Sequence, residues 1–125
     1  MTIGIFLALA LAGGAGAALR LLVDGLVRAR TKLLYPVGTT IINVSGSLVL
    51  GLLTGFALGN ALAIEWQLVL GTGLIGGYTT FSTASFESVR LVQQRRIGLA
   101  LINGFGMLIL AVAAAALGIW VGKAI

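Results

Sequence analysis

The sequence contains no cysteine and no histidine, and only three acidic residues, Asp24, Glu65 and Glu87, in 125 positions. Without cysteine there is no disulfide framework and no thiolate metal site. Without histidine the chain lacks the commonest general base, proton relay and transition-metal ligand. Three scattered carboxylates leave little for acid–base chemistry or for an oxygen cage around a hard metal. No nucleophile–base pair stands out, so an enzyme is not expected. Charge of either sign is scarce, at 9% of residues where an ordinary soluble domain carries about 25%.

What the chain does contain is apolar: 59% of residues are hydrophobic and the mean hydropathy is +1.14. A soluble globule of this size buries only part of its surface and would leave much of that in water. The composition predicts an all-α membrane protein, one unit over residues 1–125 with no soluble domain or linker. A crossing helix needs about 20 mostly apolar residues. Four stretches qualify, at about 3–23, 36–58, 66–89 and 97–121. The first has no basic start of the kind a cleaved signal peptide needs, and is read as a retained span. A basic, polar stretch from Asp24 to Tyr35 follows it. Pro36 is expected in the first turn of the second span, where its missing N–H costs nothing. Trp66 and Trp120 mark interfaces.

Glycine is abundant, 19 residues, against a usual share of about 7%. On the second span Asn43, Ser47, Gly51, Gly55 and Gly59 recur every fourth position, one stripe of a helix. Small residues at that spacing let helices approach closely in lipid, which accounts for the three glycines. A mid-membrane carboxamide is costly unless bonded or wet, and Asn43 is therefore a site candidate.

The third span changes character after Ile75. Gly76-Gly77-Tyr78-Thr79-Thr80-Phe81-Ser82-Thr83-Ala84-Ser85-Phe86-Glu87-Ser88 is rich in hydroxyls and must lie partly at membrane depth. Non-helical backbone is tolerated there only where protein or a cavity surrounds it. A break at this tract is the reading preferred over a continuous helix whose Ser and Thr bond back to their own carbonyls. No carboxylate sits mid-span, as cation pathways and proton pumps usually require. The groups at depth are hydroxyls, the amides of Asn43 and Asn103, and the phenyl ring of Phe81, whose positive edge can touch an anion. Together they suggest a narrow, uncharged anion path.

The run from Gly76 to Glu87 resembles the G-G-x-T-T-F-S-T-F-S-x-E signature of the Fluc-type fluoride channels, the camphor-resistance or fluoride-exporter family. Gly38-Thr39 with Asn43-Val44-Ser45-Gly46-Ser47 is similar to that family's second-helix motif, and Gly13 to Arg20 to its first. The resemblance covers essentially the whole chain. It implies antiparallel, inverted-topology dimers of four-helix subunits with a broken third helix, which let fluoride leave a prokaryotic cell passively through the plasma membrane. It also implies a structural, untransported Na⁺ held at the dimer centre by main-chain oxygens, here those of Gly76 and Thr79. The fluoride pore would use Asn43, Phe81, Thr80 and Ser82, with a polar track beginning at Asn103. Arg20, Gly77 and Glu87 match further signature positions. Ala84 stands where the signature has its second phenylalanine, and Met107 and Ala111 stand where hydroxyls are usual, so this half of the equipment is eroded.

Basic residues are one-sided. Arg28, Arg30, Lys32, Arg90, Arg95 and Arg96, six of eight, fall on the first and third connections, and Lys123 lies opposite. The positive-inside rule then puts both termini outside. A homodimer of dual topology needs a more even distribution, so the bias favours pairing with a related subunit of opposite orientation over pairing with itself. The pI near 10.9 fits basic helix ends against anionic lipid better than nucleic-acid binding. Two other functions compete. A small four-helix multidrug exporter would need a membrane carboxylate on the first helix, and 3–23 has none. A non-transporting membrane subunit would need the hydroxyl tract only for packing.

Overall fold

The computed structural model describes all 125 residues, and every regular element in it is helical. Helix α1 covers Ile3–Arg30, opened by the Thr2 hydroxyl, which accepts from the Ile5 N–H at 3.3 Å. It runs past Val23, its expected end, so residues 24–30 are helix rather than connection. Asp24 and Arg28 sit one turn apart and pair at 2.9 Å, and Arg28 and Arg30 suit the negative end of the helix. The helix stops at Thr31, whose hydroxyl donates to the Val27 carbonyl at 2.9 Å.

Helix α2 covers Val37–Leu58. Pro36 is its cap rather than a member of its first turn, with a carbonyl that accepts from the Thr40 N–H at 3.4 Å. Helix α3, residues 64–78, begins as α over Ile64–Gln67, loosens to π geometry over Leu68–Ile75 and ends with Gly76–Tyr78. Helical bonding then lapses, and α4 covers Ser82–Gln93. Helix α5, Ile97–Ala124, contains a π turn at Ile102–Gly106.

Helices α1, α2 and α5 are each long and apolar enough to cross a bilayer. The stretch expected as the third span, about 66–89, is divided between α3 and α4. Helix α2 packs most extensively on the C-terminal part of α5, α1 on α3, and α4 on the start of α5. The α2–α5 seam is backbone against backbone. A Cβ at Gly51 would run into the Ala115 carbonyl, one at Gly55 into that of Ile119, one at Gly118 into that of Leu48, and one at Gly122 into that of Leu52. Gly59, on the same stripe, takes no part; it caps α2, and only carbonyls of its own helix lie near. The α1–α3 contact repeats the pattern, with Gly77 against Gly13 and Gly16 against the Leu74 carbonyl.

Only 18 of 125 residues are buried, and Leu11, Phe105, Ile109 and Val112 are among many apolar side chains on the outside. Backbone bonded within its own helices and greasy side chains facing outward make this a multi-pass membrane protein, whose solvent is hydrocarbon.

Candidate functional site

The interruption between α3 and α4 is local. Thr79 is extended, with φ −77° and ψ 160°, and helix resumes at Ser82. The paired glycines are still helical, so the tract departs from helix two residues beyond them. The Thr79 hydroxyl bonds back to the Ile75 carbonyl at 3.0 Å, as Ser88 does to Ala84 at 2.9 Å. Back-bonding and interruption therefore coexist.

Asn43, reaching over from α2, holds the interruption. Its Oδ1 accepts from the Thr80 N–H at 2.8 Å and its Nδ2 donates to the Thr80 carbonyl at 2.8 Å. One side-chain amide thus replaces both main-chain partners that Thr80 loses on leaving the helix. The displaced partner matters too. In a continuing helix the Thr80 N–H would serve the Gly76 carbonyl, which Asn43 now leaves free. The buried Thr80 hydroxyl accepts from the Thr83 N–H at 3.2 Å and so caps α4, while donating to the Thr83 hydroxyl at 3.0 Å.

Two cavities, each of about 390 Å³, flank α4. The first is lined by Asn43, Thr79, Thr80, Phe81, Ala84, Asn103, Met107 and Ala111, and no charged side chain lines it. Asn103, fully buried on the α5 π turn, donates from Nδ2 to the Ala84 carbonyl at 3.2 Å and to the Ser88 hydroxyl at 2.9 Å. Its Oδ1 is buried without a partner. The Asn43 Nδ2 also donates to the Met107 thioether at 3.1 Å. Phe81 is 87% exposed, its ring turned away from the chain's own core.

The second cavity lies across α4 and is charged, with Asp24, Arg28, Glu87 and Arg90 on its walls. Glu87 Oε1 accepts from the Thr39 hydroxyl at 2.9 Å and lies 3.7 Å from the Arg28 guanidinium. Its Oε2 is buried and unpartnered. Thr83, Glu87 and Arg90 form one stripe of α4, and Ala84 and Ser88 form another.

Of the residues singled out in the sequence, Asn43, Thr79, Thr80, Phe81, Ala84, Asn103, Met107 and Ala111 meet around one groove. Ser82 sits beside it, its hydroxyl 3.4 Å from that of Thr80. Glu87 belongs to the opposite cavity, Gly77 to the α1 contact, and Gly76 is exposed. Arg20 forms no ion pair. Sequence reasoning overlooked Thr83 and the Asp24–Arg28–Thr39 setting of Glu87. The three-residue step from Thr80 to Thr83 and the four-residue step from Asp24 to Arg28 were the available signals.

A family model described as "CrcB-like protein, Camphor Resistance (CrcB)" matches residues 7–119. The chain is 58% identical over 122 residues to the fluoride-specific ion channel FluC 1 of Leifsonia xyli subsp. xyli, covering 98% of this chain and 89% of that protein. It is 41% identical over 123 residues to FluC 2 of Mycobacterium tuberculosis H37Rv, covering 98% and 94%. It is also 47% identical over 117 residues to FluC 2 of Cutibacterium acnes, covering 90% and 93%.

Proposed function

This chain belongs to the CrcB-like, camphor-resistance family, and from that membership we propose that it is a subunit of a fluoride-selective passive channel that lets cytoplasmic fluoride leave a prokaryotic cell through its plasma membrane. One observation carries the reading. The groove beside α4 gathers amides, hydroxyls and a phenyl ring with no charged side chain among its lining residues. Neutral donors can replace an anion's water, and the absence of carboxylates spares it repulsion. Asn43, Thr80, Phe81, Ser82 and Asn103 are the pore residues in this reading, and Arg20, Gly77 and Glu87 serve the fold and the mouth. The proton-coupled exporter is the weaker alternative, since the one carboxylate on α1, Asp24, is paired with Arg28 near the basic end.

In this proposal α3 and α4 together form the third of four crossings, broken at Thr79–Phe81. The functional unit is an antiparallel dimer with a related subunit of opposite orientation. The K/R bias supports that choice, with both termini outside. So does the exposure of Phe81, a large ring that a second subunit can cover. Sodium suits the break: a hard cation takes oxygen ligands, and unwound backbone supplies them. The freed Gly76 carbonyl and that of Thr79 are the oxygens this chain would contribute, and Gly76 is exposed, so a second subunit can reach it. Ala84, Met107 and Ala111 are the departures that leave one of the two expected pores weakened.

Fluoride efflux from liposomes, read with an ion-selective electrode, tests the proposal on this chain alone and with an oppositely oriented relative. Phe81→Ile and Asn43→Ala each abolish efflux if these residues form the route. Efflux that is unchanged in both variants overturns their assignment, and no efflux with either subunit combination overturns the function. Single cysteines at the termini, labelled only from outside, bear out the orientation; equal labelling from both sides refutes it.

A further inference from the structure

The groove's hydrogen bonds differ in how firmly they are held. Asn103 commits both amide hydrogens to oxygen, at Ala84 and Ser88. The Thr80 hydroxyl commits its hydrogen to Thr83. Asn43 gives one hydrogen to the Thr80 carbonyl and the other to sulfur, Met107 Sδ, at 3.1 Å. The amide cannot turn over, because that would set its oxygen against the Thr80 carbonyl and its nitrogen against the Thr80 N–H. A thioether is a weak acceptor, whereas a bond to an ion is roughly twice as strong as one between neutral groups.

Met107 is 5% exposed and walls the groove together with Ala84 and Ala111. Methionine is unbranched and adaptable, and two alanines leave space into which its side chain can turn. We propose that Met107 is a displaceable placeholder on the Asn43 amide: a small anion takes the hydrogen that Sδ now accepts, and the methionine side chain swings toward Ala84 and Ala111. The proposal rests on the fluoride reading and names the residue that takes up the second Asn43 hydrogen when no anion is in the groove. Asn43 then has two separable duties, an oxygen and a first hydrogen that hold Thr80, and a second hydrogen reserved for the ion.

The chain has two methionines, Met1 and Met107, so methyl-¹³C methionine labelling of the full protein in lipid nanodiscs gives two assignable signals. Titration with sodium fluoride moves the Met107 signal saturably and leaves Met1 in place, while sodium chloride at equal concentration moves neither. Met107→Leu keeps the volume and removes the acceptor. In that variant the half-saturating fluoride concentration, read on the Asn43 side-chain amide, falls roughly two- to fivefold, as loss of one weak competing bond implies. A Met107 signal that stays fixed while vesicles release fluoride overturns the placeholder and leaves the channel reading intact. A fixed signal without release overturns both. An equal response to chloride, or unchanged or weaker fluoride binding in Met107→Leu, also overturns the placeholder.

Discussion

Two of the close approaches that α2 makes solve opposite problems. Where α2 meets α5, both helices are intact and their side chains have been removed: Gly51, Gly55, Gly118 and Gly122 leave backbone against backbone. Where α2 meets the α3–α4 interruption, the helix has been opened and a side chain supplied: Asn43 stands in for the main-chain partners of Thr80. The first contact tolerates no added atom. The second tolerates no lost one. Both lie on the same stripe of α2, so a single helix face changes from clamp to seam in little more than two turns.

The seam is the place to expect the largest effect. Gly51→Leu drives a side chain into the Ala115 backbone, and overpacking at a contact that cannot yield costs about 3 kcal/mol. Thermal unfolding in detergent, followed by circular dichroism and size-exclusion chromatography, will register that loss. Asn43→Ala comes next. It orphans the N–H and the carbonyl of buried Thr80, at a cost of about 2 kcal/mol in the same assay, and hydrogen exchange at Thr80 and Phe81 rises while the α2–α5 seam keeps its protection. Equal exchange in both regions would erase the distinction drawn between them. Ser88→Ala removes one of the two acceptors of Asn103 and costs about 1 kcal/mol. The smallest effect belongs to Arg28→Gln. Its side chain is 66% exposed, and such pairs contribute less than about 1 kcal/mol.

The intact helices were largely legible in the sequence, because hydropathy and length decide them. The end of α1 was not. Residues 24–30, with Asp24, Arg28 and Arg30, look like a connection until Asp24 and Arg28 are placed at helical spacing, where they pair. The hydroxyl run after Gly76-Gly77 marked the region of the interruption, but the glycines do not make it. Asn43 holds it, from 37 positions away, and no local pattern carries that distance. The seam showed in the four-residue spacing, and Gly59 broke the pattern because α2 ends there. The π segments left no composition signal. Glu87 was legible only as a signature position, and the helical period of α4 turns it away from the groove, with Thr83 and Arg90.

The π stretch Leu68–Ile75 has a consequence for how such a chain can vary. A helix wound with wider turns shifts everything downstream around its axis, by about 100° for each residue gained or lost relative to regular winding. Gly77 meets Gly13, and Thr79 reaches the groove, only at one count of residues along that stretch. Apolar side chains there can be exchanged for one another at modest cost, whereas deletion of a single residue would rotate the glycine off its neighbour. Residue count, as much as the close-packed Gly73, is what this part of the protein must keep.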